Sequence, residues 1–184
     1  MVGAEGFGRG GRLSDMPALD AKDIHARLRA RFGEAVGDLA GTRRDNFCAT
    51  VRAADIAEVC RFAKTDPELA FDCLSNLSGV DYPKRGVIEV VYNLYSYPHR
   101  HLFALKVEAS RDDAAVPTVS GVWSHADWQE REVFDLLGVR FDGHPDLRRI
   151  LMPEDWPGHP LRKDFVEPEE YHGISTSRES LLKA

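Results

Sequence analysis

The sequence predicts an α+β fold: a two-layer domain with a mixed or antiparallel sheet and packed helices, followed by an extended irregular C-terminal segment. Three observations predict it. Two neighbouring runs, "GVIEVVYNLYSY" and "HRHLFALKVEA", are dense in Val, Ile, Leu and aromatics, the residues that suit a pleated, half-buried strand. Three other stretches place apolar residues at helical spacing, the mark of amphipathic helices. After Val139 the chain becomes rich in Pro, Gly and charge, which leaves little room for regular structure. The expected organisation is a disordered tail over 1–19, an α+β domain over 20–138, and a C-terminal segment over 139–184 that docks on partner chains.

Each element has its own warrant. "DAKDIHARLRARF" puts Ala21, Ile24, Leu28 and Phe32 on one face, and Gly33 stops the helix. "NFCATVR" alternates and predicts a strand over about Asn46 to Arg52. "ADIAEVCRFAKTD" predicts a second helix with Ile56, Val59, Cys60 and Ala63 inward, and Pro67 just past its end. A strand is expected from Phe71 to Leu77, then a turn. The short "SYPH" break between the two clearest strands implies an antiparallel hairpin. "SRDDAAVPTVSG" reads as a loop, and a third helix is expected from Ser124 to Leu137, with Ser124 as N-cap and Gly138 in the left-handed C-terminal position.

Composition narrows the function. The 184 residues suit one domain with a real core, and 43% hydrophobic with 29% charged residues is ordinary for a globular protein. A net charge of −6 argues against general nucleic-acid binding. No apolar run reaches the roughly 18–20 residues needed to span a bilayer, and the N-terminal "MVGAEGFGRGGRLSDMPALD" lacks the apolar core of a signal peptide. Membrane attachment is therefore expected through a partner. Cys48, Cys60 and Cys73 are odd in number and widely spaced, so they suit buried small side chains better than a disulfide framework, a zinc site or an iron–sulfur cluster.

Catalytic motifs are sparse. "GFGRGG" at Gly6–Gly11 follows no strand and is no dinucleotide loop. Neither a phosphate-cradling GxxxxGK[ST] nor a GxSxG is present. His99 and His101 alternate beside a hairpin turn and point the same way, but two histidines are too few ligands for a usual zinc site.

The third helix poses the main question. In "WQEREVFDLLGV", Ala126, Val133, Phe134 and Leu137 share the face that should turn inward, and Glu130 sits among them. Trp128 falls on the opposite side with Arg131, Glu132 and Asp135. A buried carboxylate costs several kcal/mol unless partnered, and arginine is the usual partner. Arg140, Arg148, Arg149, Arg162 and Lys163 follow. The expectation is that Glu130 pairs with Arg148 or Arg149 and so anchors the irregular segment. The competing reading makes Glu130 and His144 an acid–base pair. A tryptophan on a polar helix face, and Trp156 among charges, suit a protein interface.

"EREVFDLLGVRFDGHPDLRRILM" resembles the signature of the 30 kDa subunit family of respiratory complex I, the NADH-quinone oxidoreductase. The resemblance rests on Glu130, Arg131, Glu132, Asp135, Leu136, Leu137, His144, Arg148, Arg149, Leu151 and Met152. "FDCLSNLSGVDYP", "VVYNLYS" and "PEDWPGHPLRKDF" are also similar, so it extends over roughly Asn46 to Glu167. It implies a non-catalytic scaffold in the peripheral arm, on the cytoplasmic side of the bacterial inner membrane. Its partners would be the subunits holding the terminal iron–sulfur cluster and the quinone site. The chain would bind no cofactor itself, FMN and iron–sulfur clusters residing in those partners. Trp128, Trp156, Arg162 and Lys163 would meet the neighbours. Membrane-bound hydrogenases and the photosynthetic type of complex I carry similar subunits, and remain alternatives beside a stand-alone enzyme using Glu130 and His144 and a metal-binding module using His99 and His101.

Overall fold

A computed structural model describes residues 18–43 and 46–176. The expected disordered tail over 1–19 lies almost wholly outside the described residues. Helix α1 (Ala21–Phe32) starts where the Asp20 carboxylate accepts the N–H groups of Lys22 and Asp23, each at 2.8 Å, and ends at Gly33 with φ +57°. It buries Ile24 and Leu28. Strand β1 (Val36–Ala40), which the sequence did not announce, pairs antiparallel with β2 (Cys48–Val51). Helix α2 (Ile56–Thr65) buries Ile56, Val59, Cys60 and Ala63, the four positions its periodicity selects.

Strands β3 (Cys73–Tyr82), β4 (Val87–Ser96) and β5 (His101–Ser110) follow as antiparallel neighbours. The sheet order is β1-β2-β5-β4-β3, and β2 runs parallel to β5, so the sheet is mixed. Along β5 burial alternates almost without exception. Phe103, Leu105 and Val107 enter the core with Ile88, Val90, Tyr92 and Leu94 of β4, against residues from all three helices. The opposite sheet face carries mostly half-buried side chains, and there the half-buried Lys106 pairs with the buried Glu89 at 3.0 Å. This is the two-layer α+β arrangement that the periodicities predict.

Three expectations change. Strand β3 does not stop at Leu77 but runs to Tyr82 after a bulge near Ser75. Its Ser and Gly residues look like turn signals, yet Gly79 is there for packing: an added Cβ would lie 2.4 Å from Leu137 Cδ1. The expected loop after β5 contains strand β6 (Ala115–Pro117). It pairs in parallel with β7 (Arg140–Asp142), which lies beyond the expected domain boundary. Finally, helix α3 (Ala126–Leu137) starts two residues later than expected, and Ser124 does not cap it. The N-cap position is His125, whose ring bonds the Leu74 carbonyl at 2.6 Å instead.

The cysteines are free. Cys60 is in the core, where burial pushes its thiol well above the ordinary range. Cys48 and Cys73 are only half-buried, short of the full burial expected.

Candidate interaction site around the third helix

Helix α3 is enclosed on two sides by its own chain. The side facing β6 holds Glu130, which has no exposed surface. Its Oε1 accepts the Val119 N–H at 2.6 Å, and its Oε2 accepts the Thr118 hydroxyl. The His144 ring is also fully enclosed and lies 3.8 Å from Oε2. Asp146 N–H donates to His144 Nδ1 (3.1 Å), so the proton of a neutral ring sits on Nε2 and points to the Asp127 carbonyl at 3.2 Å. Burial raises the Glu130 pKa above the ordinary carboxylate value. The hydrogen bonds from Thr118 and Val119 and the neighbouring His144 offset this in part, and Asp127 adds to the rise.

The expected pairing of Glu130 with Arg148 or Arg149 is therefore corrected. Arg149 donates to Asp135 at 3.1 Å, and Arg148 bonds the exposed Asp146 at 2.9 Å. The reason is angular. Glu130 and Asp135 are five positions apart, which turns them about 140° from each other around a helix. An arginine serving one cannot reach the other.

Asp135 and Arg131, expected on the polar side, are in fact buried under the C-terminal segment. The segment is fastened to α3 bond by bond. Asp135 Oδ2 accepts three consecutive N–H groups, from Ile150 (3.1 Å), Leu151 (2.8 Å) and Met152 (2.8 Å). Such a run of N–H groups forms an anion-binding concavity. Burial pushes the Asp135 pKa up, but those three N–H groups and the Arg149 charge outweigh it, leaving the carboxyl below its ordinary value. Arg131 reaches the carbonyls of Arg148 (3.1 Å) and Arg149 (3.4 Å).

The end of α3 is sealed in the same way. A helix leaves its last four carbonyls without internal partners. Here Gly138 N–H takes Phe134 O (2.8 Å), His159 takes Asp135 O (2.9 Å), Leu161 N–H takes Leu136 O (3.0 Å) and Arg162 takes Leu137 O (2.7 Å). Further on, Lys163 N–H donates to Asp81 of β3 at 2.8 Å. Asp81 also pairs bidentately with Arg111, whose guanidinium holds its carboxyl below the ordinary range and extends to Asp164. Sequence reasoning missed Asp81, Arg111 and Thr118. It also missed what Asp135 does, although a signal was present. An acid in the last turn of a helix opposes the macrodipole, and α3 has no basic residue there, so donors had to come from elsewhere.

What remains outside is apolar as well as charged. Trp128 is 63% exposed, with the Arg131 guanidinium 5.1 Å from its ring centre, and Leu151 is 59% exposed. Glu132 and the side chain of Lys163 face solvent. Trp156 is half-buried against Tyr171, with ring centres 4.9 Å apart, while Arg162 is turned toward α3. On the other reading of Glu130 and His144, the two side chains do meet. Neither lines the depression beside them, whose walls include Thr118, Ser120, Asp127 and Gly143. His99 and His101 stack at 5.5 Å, but each Nε2 bonds a backbone carbonyl, of Pro67 and Leu69 respectively. They tie the turn before β3 to the β4–β5 hairpin.

A family model described as respiratory-chain NADH dehydrogenase, 30 Kd subunit, matches residues 49–171. The chain is 43% identical over 158 residues to an NADH-quinone oxidoreductase subunit from Chlorobium phaeobacteroides, covering 85% of this chain and 93% of that one. Among solved structures it is similar to a chain of the membrane-bound sulfane sulfur reductase, an archaeal respiratory membrane complex, with TM-score 0.68 and 26% identity over 80% of this chain and 86% of that chain. It is also similar to a trypsin-resistant fragment of Nqo5, with TM-score 0.59 and 27% identity over 70% of this chain and all (100%) of the fragment.

Proposed function

Because the chain belongs to the respiratory-chain NADH dehydrogenase 30 Kd subunit family, we propose that it is a non-catalytic docking scaffold in the peripheral arm of NADH-quinone oxidoreductase. Its partners are the other subunits of that complex, specifically those that hold the terminal iron–sulfur cluster and the quinone site. In the assembly, electrons pass from NADH through FMN and iron–sulfur clusters in partner subunits to quinone, and this chain holds none of those groups. No helix among the described residues is long and apolar enough to cross a membrane. The chain sits on the cytoplasmic side of the bacterial inner membrane through its partners.

One observation carries the reading. An irregular stretch from Asp146 to Asp164 is held in a single shape by α3, Asp81 and Arg111. Long irregular segments in compact domains are usually functional, and fixing one before association lowers the entropic cost of binding. Trp128 and Leu151 stand on the outer side of that region, and exposed tryptophans are frequent interface hot spots. The division into a folded platform over 20–138 and a docking segment over 139–184 belongs to the same proposal.

The test is purification of the tagged chain from its own cells in mild detergent. Recovery of FMN- and iron–sulfur-bearing proteins with NADH:quinone reductase activity is the expected result. A monomer recovered alone would overturn the reading. The likeness to a chain of the sulfane sulfur reductase favours a second reading, an equivalent subunit of a related membrane complex. The acceptor reduced by the purified assembly separates the two. A stand-alone acid–base enzyme is disfavoured by the enclosure of Glu130 and His144, and would require activity from the purified chain alone.

A further inference from the structure

The sheet ends on β3, and no described strand lies beyond it. Neighbours in an antiparallel ladder alternate between bonding one side and the other. The Arg111 N–H to Gly86 carbonyl bond (2.9 Å) sets the phase: even-numbered residues of β4 bond β5, and odd-numbered residues bond β3. The register then turns the main-chain groups of Leu74, Leu77 and Gly79 away from the sheet. The Leu74 carbonyl is taken by His125, which checks the phase independently. No backbone partner beyond the sheet reaches Leu77 or Gly79 among the described residues.

Leu77 is itself enclosed, at 3% exposed, so the accessible part of this edge is at Gly79; it forms one wall of a groove of about 100 Å³, lined also by Val133, Leu136, Leu161 and Glu132. Exposed edges are normally blunted by charge or proline, but residues 76–79 here read Asn-Leu-Ser-Gly. Glu132 makes no ion pair among the described residues. It sits between the Arg131 clasp and core Val133 with its carboxylate in solvent. A strand edge lying beside a helix is also how several recognition domains take up an extended peptide as an added strand.

We propose that an extended segment of a neighbouring subunit adds to the free edge of β3, placing one aliphatic side chain in the groove and a basic residue against Glu132. This deepens the scaffold reading and rests on it. The test is residue-resolved amide hydrogen exchange, on the isolated chain and on the intact assembly. The amide of Gly79 should exchange quickly in the isolated chain and slow by about tenfold or more in the assembly. Glu132→Lys and Leu161→Asp should leave the urea midpoint of the isolated chain unchanged and reduce its recovery with partners by about tenfold. Equal exchange in both states, while the chain still co-purifies with its partners, would overturn strand addition and leave the scaffold reading intact. Protection already present in the isolated chain overturns it in favour of the chain's own segments if independent of concentration, or of a second copy if it grows with concentration. Absence of any co-purifying partner would overturn the scaffold reading itself.

Discussion

Helix α3 carries two wholly enclosed carboxylates, Glu130 on the side facing β6 and Asp135 on the side facing the C-terminal segment, and they are driven in opposite directions. Glu130 receives one N–H and one hydroxyl, and a second acid, Asp127, lies nearby; its pKa rises. Asp135 receives three N–H groups and a guanidinium; its pKa falls. Burial alone therefore does not set the state of a buried acid. The number of donors aimed at it does. The two sides of the helix also do different work. The Glu130 side closes the β6–α3–β7 unit, and the Asp135 side shapes a loop whose outer surface is free.

The sharpest way to break the comparison is to remove Asp135. Asp135→Ala strips an acceptor from three N–H groups and leaves Arg149 beside a void. Removing one partner of a buried charged pair costs about 3–5 kcal/mol, and that is the expected fall in unfolding free energy by urea titration. Limited proteolysis should show cleavage within residues 146–163 before the rest of the chain. Loss of stability with that segment still protected would mean that Asp135 does not hold it.

A change of pH should separate the two sides more gently. Asp135 and Asp81 both have lowered folded-state values. Their contribution is present above the unfolded carboxylate range, near about 4, and is lost as pH falls through their folded values. Glu130 runs the other way. Its folded value is raised, so its contribution is full below the unfolded value and is lost as pH rises through the folded one. Glu130→Gln keeps an acceptor for Val119 and cannot ionise. It should cost less than about 1 kcal/mol at acidic pH, and its stability relative to wild type should improve as pH rises. Unfolding titrations across pH 3 to 8 (roughly the range spanning these groups) would show it. A difference that stays flat with pH would mean that Glu130 titrates alike in the folded and unfolded chain.

Much of this was legible in the sequence, for physical reasons that name particular residues. Periodicity placed Ile56, Val59, Cys60 and Ala63 inward because an amphipathic helix has one answer. It also exposed Glu130 as an anomaly on an apolar face. The β4–β5 hairpin was clear because β-branched and aromatic residues have a strong preference. What stayed hidden depended on long-range partners. Nothing local says that Ser78 and Gly79 continue a strand rather than turn, since the reason is the approach of Leu137, 58 positions along the chain. Likewise Arg149 could be drawn toward either acid of α3, and only the fold of residues 146–152 decides for Asp135. The resemblance selected Asp135, His144 and Arg149 as a set, but it did not say which bonds which.

The smallest expected effect on the isolated chain belongs to Trp128, and that is what makes it informative. Its ring is mostly in water and touches the Arg131 guanidinium at 5.1 Å. An exposed cation–π contact is worth about 0.5–1 kcal/mol, so Trp128→Ala should shift the urea midpoint of the free chain only slightly. Arg131 would keep its bonds to the Arg148 and Arg149 carbonyls, and the C-terminal segment should stay protected from protease. In the assembly the same change should act as a hot spot, costing about 2 kcal/mol or more of association, read as accelerated loss of the chain from purified complex on dilution. A variant that destabilises the free chain as strongly as Asp135→Ala would place Trp128 among the internal fastenings of α3. One that affects neither free chain nor complex would remove this face of α3 from the docking surface and leave only the β3 side to carry it.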